Sequence, residues 1–358
     1  MRVAYISPHY APYAGGVESH VEALAAGMAA RGHQVEVLTQ TEPGAPQQEV
    51  RDGVRIVRFP PVLPPPAYAF SLQLSRYLLS RQSSFDLIHL HSYHALTSLN
   101  GAIINGPLIY TPHYHGTGLR PLGRLLHPFW RRLQRPVFAR AAAVIAVSNT
   151  EAELLRRHFS AVAEKIEVIQ HGVDVAALRA ATPFGEEGRV ILTAGRLKRY
   201  KGVDRLIAAL AELDDDFRLV VAGEGPALPE LRVQAEGLGL GDRVRFLGSI
   251  PRGELDRWLR TAAVYATLSS HEAFGLAPLE AATAGASIVA SDVPAHREAL
   301  AGLPTVSFVP PDAGSSEIAS ALLDQATKPR LMAQARTWDT VVEATEAVYA
   351  RVLAPLPL

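Results

Sequence analysis

Short runs of Val, Ile and Leu alternate along this chain with segments whose apolar residues recur every three or four positions. The runs predict strands at 2–6, 34–39, 54–58, 86–90, 108–111, 143–147 and 166–169, then a second series at 189–194, 217–222, 243–247, 263–267, 287–290 and 305–308. Helical patterns fall between most of them, for instance over 18–31 and 149–158. Strands that are apolar almost throughout, without strict alternation, belong to parallel sheets covered on both faces. Two such series, separated by a loose stretch at 175–188 that contains Pro183, Gly185 and Gly188, predict two doubly wound α/β domains, 1–174 and 175–339. In folds of this class ligands bind outside the carboxyl ends of the strands, here in a crevice between the domains. The Pro-rich stretch 60–66 reads as a surface loop, and Pro329 to Leu353 as one long or broken helix.

The length of 358 residues agrees with two domains, and 48 % hydrophobic against 20 % charged residues excludes disorder as the main state. With no Cys, disulfides, thiolate metal sites and cysteine nucleophiles are excluded. Lys+Arg and Asp+Glu are both 35, so no nucleic-acid partner is expected. The opening MRVAYISPHY is too short for a signal-peptide core and no uncharged apolar run reaches 18 residues, so a cytoplasmic protein is expected. The neutral total hides an asymmetry, +4 over 1–175 and −4 over 176–358. No acidic residue lies between Asp86 and Glu151, and the segment 120–140 interleaves Arg120, Arg124, Arg131, Arg132, Arg135 and Arg140 with Leu, Phe and Trp. Such a segment fits an anionic membrane surface, or a helix with a buried stripe and a solvated Arg face.

Three constellations carry candidate chemistry. Gly15-Gly16-Val17-Glu18 follows the first strand after a loop. Adjacent glycines admit a ligand close to the backbone, and the helix that follows offers free N–H groups to an anion, although a plain strand-to-helix turn reads equally well. Gly195-Arg196-Leu197-Lys198-Arg199-Tyr200-Lys201-Gly202 directly follows a buried strand and precedes a helix. It makes a cationic pocket suited to a diphosphate, without the spacing of a Walker loop. His271 to Ala281 places Glu272 and Glu280 eight apart around Gly275 and Pro278, so that a Glu before a helix and one inside it face one cleft. Asp214-Asp215-Asp216 formally matches an Asp-x-Asp metal motif but sits at the wrong strand end, and reads as a solvated turn. His89, His91 and His94 at a strand end suggest a metal cluster, but no carboxylate accompanies them except Asp86 upstream, and they read rather as core or acceptor-cleft histidines. His113 and His115 alternate on an extended segment, face opposite ways, and so do not share a metal.

Together these residues resemble glycosyltransferase family 4, retaining enzymes of the GT-B fold. The resemblance is carried by the Glu-x7-Glu element at Glu272 and Glu280, the GR-x4-KG element at Arg196 and Lys201, the GGVE loop, Thr111-Pro112-His113, Val147-Ser148, His171-Gly172-Val173-Asp174 and Gly223-Glu224-Gly225-Pro226. It runs from the first strand to Trp338 and Tyr349. It implies two Rossmann-like domains facing across a cleft that hinge motion closes. The N-terminal domain takes the acceptor, the C-terminal domain the nucleotide sugar, and about 340–358 crosses back onto the first domain.

By the same resemblance Arg196 and Lys201 neutralise the diphosphate of a UDP- or GDP-sugar, Glu280 binds the ribose and Glu272 the donor sugar. Phe274, Gly275 and Leu276 offer backbone N–H groups, while Gly223, Ser249 and Ile250 line the nucleotide. Gly15 and Gly16 close over the diphosphate, and His113 contacts the donor sugar near the reacting carbon. Cationic side chains at the leaving group lower the barrier to sugar–phosphate cleavage, so no metal or other cofactor is expected. The implied reaction passes a hexosyl group to a saccharide, lipid-linked or phosphate-bearing acceptor in an α linkage. A sugar-nucleotide epimerase or hydrolase of the same fold, a nicotinamide enzyme and a non-catalytic nucleotide-sugar-binding homologue remain alternatives. The nicotinamide reading is weakened by the lack of a G-x-G-x-x-G turn after the first strand.

Overall fold

The computed structural model describes the chain apart from residues 14, 63–69, 117–120, 187, 273 and 355–358 and the side chains of 121–124. Most of the Pro-rich stretch therefore lies outside the described residues. The chain forms two compact units, Met1–His171 with Trp338–Leu358, and Gly172–Thr337.

Unit 1 is built on an eight-stranded sheet: β1 (Arg2–Ile6), β2 (Gln34–Gln40), β3 (Gln48–Arg51), β4 (Val54–Phe59), β5 (Leu87–His91), β6 (Leu108–Thr111), β7 (Ala143–Ala146) and β8 (Ile166–Val168), in the order β3-β4-β2-β1-β5-β6-β7-β8. All neighbours are parallel except β3 and β4. Two apolar layers cover the sheet: Ala4, Ile6, Leu38, Leu90 and Tyr110 lie in one, Val3, Tyr5, Val37, Ile109 and Ile145 in the other. The short β3 is an addition to the predicted strands. Its sequence QEVR is not apolar and all four of its residues are partly or largely exposed on an edge, so no hydrophobic run marks it. The hairpin to β4 turns on Asp52 and Gly53, both at positive φ, as a two-residue turn requires.

The helices of unit 1 are α1 (Gly16–Ala30), α2 (Leu72–Arg81), α3 (Pro121–Arg140), α4 (Asn149–His158) and, from the far end of the chain, one over Trp338–Leu353. That last helix buries Val341, Val342, Val348 and Tyr349 in the same layer as β1 and α1. Its Tyr349 hydroxyl meets Tyr5 Oη at 2.8 Å and His89 Nδ1 at 2.6 Å, and its Glu346 bonds Arg31 and His33 at 2.9 and 2.7 Å. The close approach to α1 depends on Gly27, because a Cβ there would run into Val342 Cγ2.

Unit 2 carries a wholly parallel six-stranded sheet of β9 (Arg189–Ala194), β10 (Phe217–Ala222), β11 (Val244–Gly248), β12 (Val264–Thr267), β13 (Ser287–Ser291) and β14 (Val306–Val309), ordered β11-β10-β9-β12-β13-β14. Its helices are α5 (Val175–Ala180), α6 (Val203–Leu210), α7 (Leu228–Gly237), α8 (Arg252–Thr261), α9 (Leu276–Thr283), α10 (Pro294–Ala299) and α11 (Ser315–Ala326), so the C-terminal helix of unit 1 is α12. Three sequence expectations change here. The stretch 175–188 is not loose throughout: it opens on α5, capped by the Asp174 carboxylate accepting from Ala177 N at 2.9 Å. The chain passes into unit 2 at His171–Gly172, ahead of the predicted 174, because Val173 pairs with Thr337 and donates to Arg336 O at 2.8 Å. The final helix begins only at Trp338. Residues 329–336 have no helical structure, which Pro329 disfavours, and are held by Arg330 on the Arg260 and Ala262 carbonyls and by Ala333 N on Ala282 O. Asp214, Asp215 and Asp216 form an exposed turn before β10, with Asp216 paired to Arg189 and Asp215 to Arg243.

Candidate active site

Most of the predicted residues gather at the carboxyl ends of the strands of unit 2, where the segments leaving β9, β10, β11 and β12 carry them. After β9 the chain turns at Gly195 and packs backbone to backbone: a Cβ on Gly223, at the end of β10, would run into the Gly195 carbonyl. Gly223 N also donates to Gly248 O at 2.7 Å, which draws the end of β11 alongside. Arg196 follows, half-buried, and Lys201 ends a single 3-10 turn before α6. Gly202 caps α6 at a φ of 68° with no room for a Cβ against Leu268 O, 2.7 Å away. The loop is thereby fixed against the segment that follows β12.

That segment brings Glu272 to Lys201, with Oε1 and Nζ 2.5 Å apart. Burial alone would push Glu272 up, but Lys201 holds its carboxyl below the usual carboxylate value. Burial would likewise draw the Lys201 amine down, and Glu272 raises it. Both groups are therefore charged. The charge of Arg196 acts on Lys201 in the opposite sense, which places a second cation near the pair. Phe274 is buried, Gly275 caps α9 at a φ of 108°, and Leu276 begins that helix. The first-turn N–H groups of α9 have no intrahelical partners, as at any helix start.

Glu280, on α9, is not a free carboxylate. Arg252 at the start of α8 reaches it at 2.7 Å and Asp256 at 2.8 Å. Burial raises the Glu280 carboxyl above its ordinary value, Arg252 pulls it back, and Asp256 and Asp174 push it up again. The two glutamates thus take different cations, yet the charges of both act on the buried Tyr265. Ser249 and Ile250 lie just ahead of Arg252. Ser249 N donates to Glu224 Oε1 at 3.3 Å.

Two residues of this region escaped the sequence reading. Arg252 stands two residues beyond the predicted Ser249–Ile250 pair, and only its partner on another helix reveals it. His296 on α10 donates from Nδ1 to Ser291 O at 2.9 Å, while its buried Nε2 has no hydrogen bond. It lies against Gly275, where a Cβ would sit 3.2 Å from its ring, and it feels the charge of Glu272. A lone His in SDVPAHRE carries no motif that would have singled it out.

Unit 1 holds the other predicted residues. Gly15 is extended and caps α1, accepting from Ser19 N at 2.9 Å, and a Cβ on Gly16 would meet open space. His113 is buried and left-handed, at a φ of 50°, a conformation that costs a side-chain-bearing residue about 1 kcal/mol or more. What holds it is Glu151 in the first turn of α4, which accepts from Tyr114 N at 2.5 Å and from Val147 N at 2.7 Å. Ser148 caps the same turn, accepting from Glu151 N at 2.9 Å, and this is the S-x-x-E arrangement of a capping box. His113 and His115 do part company: His115 stacks on His94 at 4.1 Å between centroids, and His113 Nε2 lies 3.4 Å from His91 Nδ1. His20, from α1, joins His91 and His113, a meeting that sequence spacing could not show.

On α3 the expected buried stripe is incomplete. His127, Gln134, Val137 and Phe138 are buried, while Leu125 is 76 % and Phe129 63 % exposed, with Leu126 and Leu133 also outward beside exposed Arg132 and Arg135. Arg120 lies outside the described residues. No helix among the described residues is long and apolar enough to cross a membrane.

Comparison with known proteins agrees with this architecture. Residues 14–177 match the family model Glycosyltransferase Family 4, and residues 174–338 match Glycosyl transferases group 1. The D-inositol 3-phosphate glycosyltransferase of Jonesia denitrificans is 31 % identical over 98 % of this chain and 96 % of its own length. The phosphatidyl-myo-inositol mannosyltransferase of Mycobacterium tuberculosis is 31 % identical over 90 % of this chain and 87 % of its own. Among solved structures, sucrose-phosphate synthase from Thermosynechococcus elongatus superposes with a TM-score of 0.81 at 23 % identity, covering 98 % of both chains. Anabaena HepE, in complex with UDP and glucose, gives 0.75 at 20 %, covering 98 % of this chain and 95 % of its own. At these identities the structures speak to the fold, which is GT-B.

Proposed function

Since the chain belongs to glycosyltransferase family 4 and is a glycosyltransferase, we propose that it moves a hexosyl group from a UDP- or GDP-sugar to a phosphate-bearing or lipid-linked polyol or saccharide, with retention and an α linkage. The observation that carries the donor half is the Lys201–Glu272 pair at 2.5 Å, in which Lys201 comes with Arg196 from the loop between β9 and α6 and Glu272 from the loop between β12 and α9. Breaking a sugar–phosphate bond builds negative charge on the leaving diphosphate. Cations already fixed at that point stabilise it without reorganising. Arg196 and Lys201 are those cations in this reading. Glu272, held ionised by Lys201, accepts hydrogen bonds from the sugar hydroxyls and offsets the positive charge that develops on the ring. Glu280 accepts from the ribose, Gly223, Ser249 and Ile250 line the nucleotide, and Phe274, Gly275 and Leu276 present N–H groups. Gly15, Gly16 and His113 keep the diphosphate and donor-sugar contacts that the family resemblance gives them.

The acceptor half is supported by the relatives, whose names describe inositol 3-phosphate and phosphatidyl-myo-inositol as what they glycosylate. The outward Leu125, Leu126, Phe129 and Leu133 among arginines support peripheral contact with an anionic lipid surface, the place where a lipid-linked acceptor is found. A panel of UDP-, GDP- and ADP-sugars read by thermal shift tests the donor, since a ligand that binds only the folded protein raises the melting temperature with its concentration. The best donor is then offered with inositol phosphate and phosphatidylinositol, and the anomeric proton of the product is read by NMR. An α product from an α donor is expected. A β product, or full donor turnover without acceptor, overturns the reading.

A further inference from the structure

His20, His91 and His113 reach one point of unit 1 from three elements: α1, the end of β5 and the segment after β6. All three are buried, and a ring nitrogen of each lies within 4.8 Å of one from both others. His91 Nδ1 and His113 Nε2 are 3.4 Å apart. That is long for a hydrogen bond, and it matches the roughly 3.4 Å between two nitrogens that each sit about 2.1 Å from a tetrahedral zinc ion. Among the described residues His91 has no better partner, and its Nε2 is buried there without a hydrogen bond. His20 Nδ1 meets His171 Nδ1 at 2.9 Å, so one shared proton orients both rings and leaves His20 Nε2 for another contact. A ligating imidazole whose second nitrogen is held by an outer group is how proteins fix the tautomer at a metal. Burial also drives all three imidazoles toward the neutral form, the one that ligates. The left-handed backbone of His113 is a further sign that its ring is placed at a cost.

We infer that His20, His91 and His113 form a binding site for a first-row divalent transition cation, zinc foremost, with His171 orienting His20 and a fourth coordination position left to water or an anion. Three imidazoles and no carboxylate select against Mg2+ and Ca2+, which take oxygen ligands. The inference goes beyond the proposed transferase reaction. It touches that reaction at one point: an ion on His113 occupies the ring assigned to the donor sugar, so zinc inhibits transfer and a chelator relieves it.

The test measures binding with neither donor nor acceptor present, so its outcome is independent of the transferase reading. Full-length protein stripped with chelator is titrated with Co2+ and then Zn2+. One equivalent of Co2+ with the visible absorption of a tetrahedral nitrogen site is expected, displaced by Zn2+ and unmoved by excess Mg2+. X-ray absorption of the zinc form should show about three imidazole nitrogens at about 2.0–2.1 Å. H20Q, H91Q and H113Q, each checked for native circular dichroism, should abolish the cobalt spectrum. H171Q should weaken binding about 10- to 100-fold. H94Q, on the histidine stacked against His115, should bind as wild type. Should the ligand variants fail to fold, the wild-type stoichiometry and absorption spectrum decide. Less than a tenth of an equivalent bound, an oxygen-only shell, or full binding by folded H91Q overturns the inference.

Discussion

Lys201 Nζ and Glu272 Oε1 are 2.5 Å apart across 71 residues of sequence, and each side chain is about a fifth exposed. The pair is therefore already formed before any donor arrives. Removing one partner strands a largely buried charge, which is destabilising in addition to any loss of catalysis. K201A and E272A should each lower turnover by about 100-fold or more and lower the melting temperature by several degrees. The double variant should recover much of the melting temperature and none of the turnover. Differential scanning fluorimetry beside a transfer assay separates the two effects. Wild-type turnover in either single variant removes the pair from the chemistry.

Arg252 sets the charge of Glu280. The Glu280 carboxyl is raised by burial, and of the groups around it Arg252 is the one that lowers it. Without that guanidinium the carboxyl rises further and takes its proton at a higher pH. In the proposed reading Glu280 accepts from ribose hydroxyls, which a protonated carboxyl does poorly, so the acid limb of kcat/KM should move to higher pH in R252A, with a higher donor KM at neutral pH. R252K keeps the charge and should fall between the two, because it loses the fork that holds Glu280 and Asp256 together. A pH–rate profile for R252A that superposes on wild type would show that Arg252 only packs.

Gly27 carries the seam between α1 and α12. A methyl group at that position runs into Val342 Cγ2, a β-branched side chain with little freedom to turn away. G27A should cost about 1–3 kcal/mol, as overpacking in a core does. V342A in the same chain should return most of it by opening the space. Denaturant unfolding of the two single variants and the double measures this as a cycle, and additivity would mean that the two residues do not meet.

Thirteen of the fourteen strands among the described residues were legible because the buried strands of a parallel sheet are apolar almost throughout, as RVILTA and FRLVVA are. The fourteenth, QEVR, lies on an edge and carries no such run. The readable signal was the Asp52-Gly53 turn beside it. The placement of the 195–202 loop and of Glu272 and Glu280 at strand ends of unit 2 was legible for a related reason: each is a short sequence segment that follows directly on a readable strand. Arg252, His296 and the company of His113 were not, since the partners that reveal them come from other elements of the fold and sequence spacing does not report on them. α3 was legible as a helix and undecided in its exposure, because an amphipathic pattern tells which residues share a face and leaves open what that face meets.

That face yields the last prediction. Leu125, Leu126, Phe129 and Leu133 are outward, and exposed Arg132 and Arg135 lie beside them with the half-buried Arg131. Apolar side chains bury into the headgroup region, and each Lys or Arg near an anionic surface adds about 1 kcal/mol. Replacing Arg131, Arg132 and Arg135 together with Gln should therefore weaken co-sedimentation with phosphatidylserine or phosphatidylinositol vesicles at least about tenfold. Binding to neutral phosphatidylcholine vesicles should be weak for both proteins. Raising the salt should weaken the wild type far more than the variant, because screening acts only on the charged part of the contact. F129S should lower the salt-resistant remainder and leave the salt dependence in place. Equal sedimentation of the triple variant and the wild type on anionic vesicles would mean that α3 meets something other than lipid.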